Sequence, residues 1–305
     1  MSDDGSQRGP ASTYAIRPLR TPDEYGAAVQ LQRDTWGPDF SEIVPLAILK
    51  VAQILGGVVS GAFAEDGSLD GFVFGMTGER DGKLVHWSDM LAVRPGARDS
   101  GLGTHLKRHQ RSEVMARGVS IMHWTFDPLQ ARNAHLNVNR LGAVMRDYAA
   151  DLYGESDSPL HRGIGTDRLV ATWELDSPRV ERMLGRFRET AEYGSASGGA
   201  PIQALSSIEG EGGLPRPLTG LSEETLSRIA RESPGGSVSV EIPTHLTAIM
   251  EASMELAREW RRATRAVLSP LVDSGFEVTG FVRGTPTCRY LLTPGATPSL
   301  LKGSL

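Results

Sequence analysis

The sequence predicts a mixed α/β fold: a mostly antiparallel, twisted sheet flanked by helices. Three observations predict it. Two apolar runs, Val58 to Ala64 and Leu69 to Thr77, are joined by Glu65-Asp66-Gly67-Ser68, which is hairpin-turn chemistry. The stretch from Leu84 to Pro128 then reads strand, Gly-rich turn, helix, strand, a crossover that adds a parallel strand to antiparallel hairpins. Near the C-terminus a strand, a helix and two strands follow one another again, without a second Gly-rich turn.

Taken in order, residues 1–13 are polar, with Gly, Ser and Pro, and are expected to be a disordered leader without a signal peptide's apolar core. Tyr14 to Leu19 reads as a strand. Thr21 is an N-cap candidate for a helix to Trp36, with Pro22 suited to its first turn and Asp23 and Glu24 complementing the dipole. A second helix from Pro45 to Leu55 ends at Gly56-Gly57, so the apolar run from Ile43 to Ala64 is a helix followed by a strand, not a membrane span. After the hairpin, Asp81-Gly82 turns the chain into the strand at Leu84. Thr104 to Arg117 is a helix, Val119 to Asp127 a strand, Asn133 to Leu141 a helix ended by Gly142, and Ala143 to Tyr148 and Arg168 to Leu175 are strands. Gly154 to Asp167 between them is a polar loop long enough for a substrate cover or a loosely held hairpin tip.

Val180 to Tyr193 looks like a charged helix, and Gly194 to Gly220, rich in Gly, Ser and Pro, reads as a linker. Then come a strand over Ser237 to Ile242, one long helix from about His245 to Leu271, and strands over Glu277 to Val282 and Arg289 to Thr293. The expected organisation is a first domain over 14–176, a helix and linker over 177–236, and a C-terminal half-domain over 237–305. In the long helix, Leu246, Ile249, Met250, Leu256, Trp260, Val267, Leu268 and Leu271 form an apolar stripe. Arg258, Arg261, Arg262 and Arg265 are read as a solvated face with Glu255 and Glu259 as partners, the alternative being an anion site.

The chemistry concentrates in the Gly-rich turn. Gly101-Leu102-Gly103 lets the backbone turn tightly and approach a bulky group. The free N–H groups that open the following helix favour negative charge there. With Arg94 and Arg98 beside it, the turn suits a pyrophosphate. The order Leu91-Ala92-Val93-Arg94-Pro95, then Arg98, Gly101 and Gly103, resembles the Leu-x-Val-x-Pro strand end and Arg/Gln-x-x-Gly-x-Gly/Ala signature of the GNAT superfamily of acyl-CoA-dependent N-acyltransferases. His86-Trp87-Ser88-Asp89-Met90 with the segment from Phe126 to Asn137 is similar to a branch of predicted acetyltransferases with a long C-terminal extension.

The resemblance implies a GNAT-like sheet and acetyl-CoA or another acyl-CoA as co-substrate; the seven histidines lack the Cys/His/Asp spacing typical of zinc, so no metal is expected. It implies that Met90, Leu91, Ala92 and Val93 pair with the pantetheine arm. The pyrophosphate would rest on the turn, from Ala97 through Arg98, Asp99, Ser100, Gly101, Leu102 and Gly103 to Thr104. It also implies that the strands carrying Leu84–Val93 and Val119–Asp127 part to hold the acyl group. Asn133 and Asn137 are candidates to contact the CoA arm or substrate. The tyrosine that often serves as thiolate acid in this superfamily falls at Val138 here, so Tyr148 or Tyr153 would supply a phenol from elsewhere.

Deprotonating an amine needs a base. Asp89 lies in an otherwise apolar strand, where desolvation would raise its pKa; it could instead be a buried hydrogen-bond acceptor. His86 is a candidate to relay or accept a proton near neutrality, but three residues away on a strand it is expected to point to the opposite face from Asp89. His123 and Asp127 end the partner strand, and Asp127-Pro128 suits turn initiation.

Hydrophobic content of 39%, charged content of 23% and a net charge of −5 suit a globular chain and argue against bulk nucleic-acid binding. The single cysteine, Cys288, is read as an apolar filler, and its solitude fits a reducing cytoplasm. Expected partners are an amine-bearing small molecule or peptide, with an acyl carrier protein as an alternative donor, and neither nucleic acid nor membrane. A non-catalytic CoA-binding module is the remaining alternative.

Overall fold

The structure is a computed structural model that describes residues 14–38, 40–154, 163–185, 200–218, 221, 224–225, 236–295 and 300–301. The expected leader, the middle of the loop after Gly154 and the helix beyond Gly185 lie outside the described residues. The chain divides into two compact units. The first comprises 14–124 with 174–176, and the second comprises the described residues of 125–154, 163–173 and 177–301. This division falls after Trp124 and does not follow the boundaries expected at 176 and 236.

In the first unit, β1 (Ala15–Pro18), β2 (Val58–Phe63), β3 (Leu69–Arg80) and β4 (Lys83–Val93) form an antiparallel run, and β5 (Ile121–Phe126) starts beside β4 in parallel. Three helices accompany it: α1 (Pro22–Trp36), α2 (Leu46–Ile54) and α3 (Leu102–Met115). Thr21 caps α1 as its sequence position suggests, and the structure adds a reciprocal bond with Glu24, which the sequence offers only as a dipole partner. Strand alternation divides the helices between the two faces. Phe72, Phe74, Met90 and Ala92 join Tyr25, Ala28, Leu31 and Leu49 in one core under α1 and α2. Gly71 and Gly75, on the opposite face of β3, lie against Leu106 and Gln110 of α3.

In the second unit the strand order is β7-β6-β11-β12-β10-β8-β9, with β6 at Val144–Ala149, β7 at Arg168–Glu174, β8 at Ile202–Glu209, β9 at Pro215–Leu218, β10 at Val238–Pro243, β11 at Phe276–Val282 and β12 at Thr287–Pro294. All these pairings are antiparallel except β8 with β10. Its helices are α4 (Ala131–Ala134, continued as a π-helical turn over His135–Arg140), α5 (Pro178–Gly185), α6 (Leu246–Ala252) and α7 (Met254–Asp273).

Two expectations change. The Gly/Ser/Pro-rich stretch read as a linker carries the β8–β9 hairpin, in which Ala204 and Leu205 are buried and Pro215 accepts a hydrogen bond from the Trp260 indole at 2.9 Å. Its prolines sit in β9, at the end of the strand order, where an absent N–H costs little. The single helix expected from His245 to Leu271 is two, because Ser253 is extended (φ −156°, ψ 104°) and its hydroxyl caps α7 by accepting from the Leu256 N–H.

Along 15–174 the elements follow one another as strand, two helices, three strands, helix, strand, short helix and two strands. That is the succession the sequence predicts over this stretch. No helix among the described residues is long and apolar enough to cross a membrane.

Candidate active site

The candidate site is built on β4. Its register with β3 runs Ala92 to Phe72 and Met90 to Phe74, then jumps to Ser88 opposite Gly75. Asp89 is therefore the extra residue of a β-bulge. The bulge reverses the alternation: Met90 and Ala92 face the α1–α2 core, whereas Ser88 and His86 face α3. Asp89 is exposed, and enough protein surrounds its carboxyl to desolvate it. That desolvation, followed by the negative charge of Glu42, raises its pKa above the usual carboxylate value; a hydrogen bond with the Trp87 side chain acts the other way.

The parallel pairs of β4 with β5 run from Val85↔Ile121 to Trp87↔His123. From the bulge onward, among the described residues, β4 has no further pair with β5, so Met90, Leu91, Ala92 and Val93 have no strand partner on that side, although the Val93 carbonyl accepts from Arg98. The strand then leads through a short 3₁₀ turn over Pro95–Ala97 into the Gly-rich turn. Gly101 precedes α3 at φ 86°, a left-handed conformation suited to glycine, and no side chain caps the helix there. Asp99 also has positive φ, at 63°. Ser100 holds the turn by donating to the Ala97 carbonyl at 2.7 Å. Leu102 and Thr104 are buried and Gly103 is half-buried.

An uncapped helix start beside a strand edge that has left its parallel neighbour fits a phosphate-bearing, amide-containing ligand. Of the two arginines read as phosphate partners, Arg98 is exposed with its Nε on the Val93 carbonyl at 3.0 Å. Arg94 is committed elsewhere: it donates to the Leu69 carbonyl and to Asp34, both at 2.9 Å.

His86, read from the sequence as a candidate relay, lies on the face of β4 opposite Met90. It is fully buried on the α3 face with both ring nitrogens engaged, by Thr77 and Gln110, each at 3.0 Å. Burial, then the charges of Lys107 and Arg117, lower its pKa to about 3. His123 is buried in β5 opposite Trp87.

Tyr148 belongs to the second unit, where its hydroxyl donates to Asp167. Burial, then the Asp167 charge, raises its pKa, which makes the phenol a weaker acid. Tyr153 is exposed and shares a 3.0 Å hydrogen bond with Thr125, while Val138 is fully buried. Asn133 is exposed on α4, and Asn137 is buried in the π-helical turn.

Asp127 does start a turn, accepting from the Leu129 N–H at 2.8 Å, but it also binds buried Arg261 at 2.6 Å. Arg265 joins Asp151 and Asp167. Only Arg258 and Arg262 remain on the solvated face with Glu255, and Glu259 pairs with Arg216 instead. Sequence reading missed these inward arginines, although Arg261 falls on the helical spacing of the buried positions Ala257, Thr264 and Leu268.

Solved structures resemble just over half of this chain. A Salmonella typhimurium protein, yncA, solved with its cofactor acetyl-CoA, is 19% identical over 54% of this chain and 95% of its own, with a TM-score of 0.43. Aminoglycoside 6'-acetyltransferase type Ii is 17% identical over 53% of this chain and 98% of its own, with a TM-score of 0.42. The ribosomal-protein-S18-alanine N-acetyltransferase from Escherichia coli is 17% identical over 54% and 95%, with a TM-score of 0.43. No family model matches the chain, and no curated protein matches it.

Proposed function

We propose that this chain is an acyl-CoA-dependent N-acyltransferase that moves an acetyl or other acyl group directly to an amine. One observation carries the reading. A bulged strand that presents a carboxylate leaves its parallel neighbour and runs into a Gly-x-Gly turn and an uncapped helix start.

In this reading the N–H groups of the turn and of α3's first turn bind the pyrophosphate, and the β4 edge beyond the bulge pairs with the pantetheine amides. Asp89, with its raised pKa, accepts the proton of the acceptor's ammonium, directly or through one water. The amine nitrogen bonds to the acyl carbon as the carbon–sulfur bond breaks, and the thiolate leaves and takes up the second proton, which the nitrogen sheds as it becomes an amide. Binding geometry supplies much of the rate, because both reactants are held side by side. No acid is assigned to the thiolate.

The test is thiol release from acetyl-CoA across a panel of primary amines. Amine-dependent release is expected. Asp89→Asn should lower it by about a hundredfold or more without changing the Kd for acetyl-CoA. The rate of the native protein should fall as pH drops through the Asp89 pKa, and this acidic limb should disappear in the variant. Binding of acetyl-CoA without thiol release to any amine would instead indicate a non-catalytic CoA-binding module.

A further inference from the structure

A continuous chain of buried side-chain hydrogen bonds joins β3, β4 and α3. Lys107 Nζ donates to Gln110 Oε1 at 3.0 Å, and Ser88 Oγ donates to the same oxygen at 2.9 Å. Thr77 Oγ1 gives its only proton to the Gly56 carbonyl at 3.1 Å, so it must accept from His86 Nδ1 at 3.0 Å. That fixes the histidine tautomer, and its bare Nε2 accepts from Gln110 Nε2 at 3.0 Å. Lys107, Gln110, His86 and Ser88 are each at most 5% exposed. Gly75, opposite Ser88, makes room for them: a Cβ there would lie 2.3 Å from His86 Nε2 and 2.9 Å from Gln110 Nε2. Lys107 is held in turn by the Met122 sulfur at 3.3 Å and the Trp124 ring at 3.9 Å, both on β5.

The chain ends at the bulge. Ser88, just before Asp89, is tied to α3, and Met90, just after it, is packed in the α1–α2 core. A bulge is one residue of register, and a one-residue slip turns a strand's side chains to the other face. An apolar pair on α3 would cover β4 equally well in either register, whereas one amide oxygen shared by a serine and a lysine accepts only one.

We propose that Ser88, Gln110 and Lys107 are positioning residues that lock the register of β4 at the bulge and thereby set the direction in which Asp89 is presented. The proposal rests on the reading of Asp89 as the base, and its test separates the two.

Ser88→Ala removes one hydroxyl and leaves Gln110 with Lys107 and His86. The first readout needs no substrate: a carbon-13 carboxyl titration of Asp89 in the full chain, where Glu42 and Trp87 are the groups that set its environment. In Ser88→Ala its midpoint should fall toward the ordinary carboxylate value, and Ser88→Thr, which restores the hydroxyl, should return it. At saturating acetyl-CoA, turnover of Ser88→Ala should drop about tenfold or more with an unchanged Kd, since small misplacements of a reacting group carry such losses. Gln110→Leu should act in the same direction and also release the His86 tautomer, visible in its nitrogen-15 shifts. A folded Ser88→Ala protein with the native Asp89 titration and native turnover would overturn the proposal. A shifted titration combined with a fully active Asp89→Asn would overturn the base assignment and leave the positioning role standing.

Discussion

At Glu24 several donors converge on one carboxylate: Arg17 through two nitrogens at 2.7 and 3.1 Å, and the N–H groups of Arg20 at 2.6 Å and Thr21 at 3.4 Å. The Arg17 guanidinium, then these backbone donors against burial, lower its pKa to about 2. A depressed folded-state pKa contributes stability above the unfolded value and loses it as pH falls through the folded one. The melting temperature of the native protein should therefore exceed that of Glu24→Gln most clearly above about pH 4.5, the unperturbed value, and the gap should close as pH approaches about 2. The absence of any gap above that pH would mean that the amide replaces the carboxylate's bonds equally well, and a gap independent of pH would mean that ionisation of Glu24 is not its source. Thr21 was legible as a cap because capping is local, three residues from donor to acceptor, whereas Glu24 was read only as a dipole partner and its return bond to the cap was missed. Asp89 was legible as a desolvated carboxylate. Its bulge was not, because a bulge is a relation between two strands and has no composition of its own.

The element whose reading changed most is α7. Its arginines look alike in sequence, yet Arg262 is well exposed while the Arg261 side chain is 4% exposed against the 1% of Asp127. A partner 134 positions away in the chain cannot be inferred from helix spacing, although the stripe through Ala257, Thr264 and Leu268 marks Arg261 as inward-facing. Breaking such a pair leaves a buried charge uncompensated. Asp127→Ala should cost about 3–5 kcal/mol in denaturant unfolding of the second unit. Glu255→Ala, at the exposed pairs with Arg258 and Arg262, should change the midpoint little, since solvent already screens those charges. Equal losses in the two variants would contradict the distinction drawn here between inward and outward arginines. The β8–β9 hairpin was misread for a different reason: its buried Ala204 and Leu205 sit among residues that local propensity assigns to loops, and only their partners in β10 and α7 make them strand.

Over the whole molecule, the sequence marks the first unit more clearly than the second. The motif from Leu91 to Gly103 is contiguous and its consequences are local: a strand edge, a tight turn and a helix start. The second unit's strand–helix–strand–strand order was legible, while the ion pairs that fill it join residues far apart in the chain. The central claim is that the turn before α3 binds the pyrophosphate of an acyl-CoA. Gly103 tests it better than Gly101. Gly103 lies within the helix, and Asp99 and Gly101 are the positive-φ positions of the turn, so a side chain at 103 adds bulk and charge without that backbone strain. The deciding measurement is a calorimetric titration of acetyl-CoA into the native protein and into folded Gly103→Asp. Saturable binding to the native protein and its loss in the variant, by about a hundredfold or more, is the expected result, since a carboxylate would face the phosphates across bare backbone. An unchanged Kd in the folded variant would contradict the account.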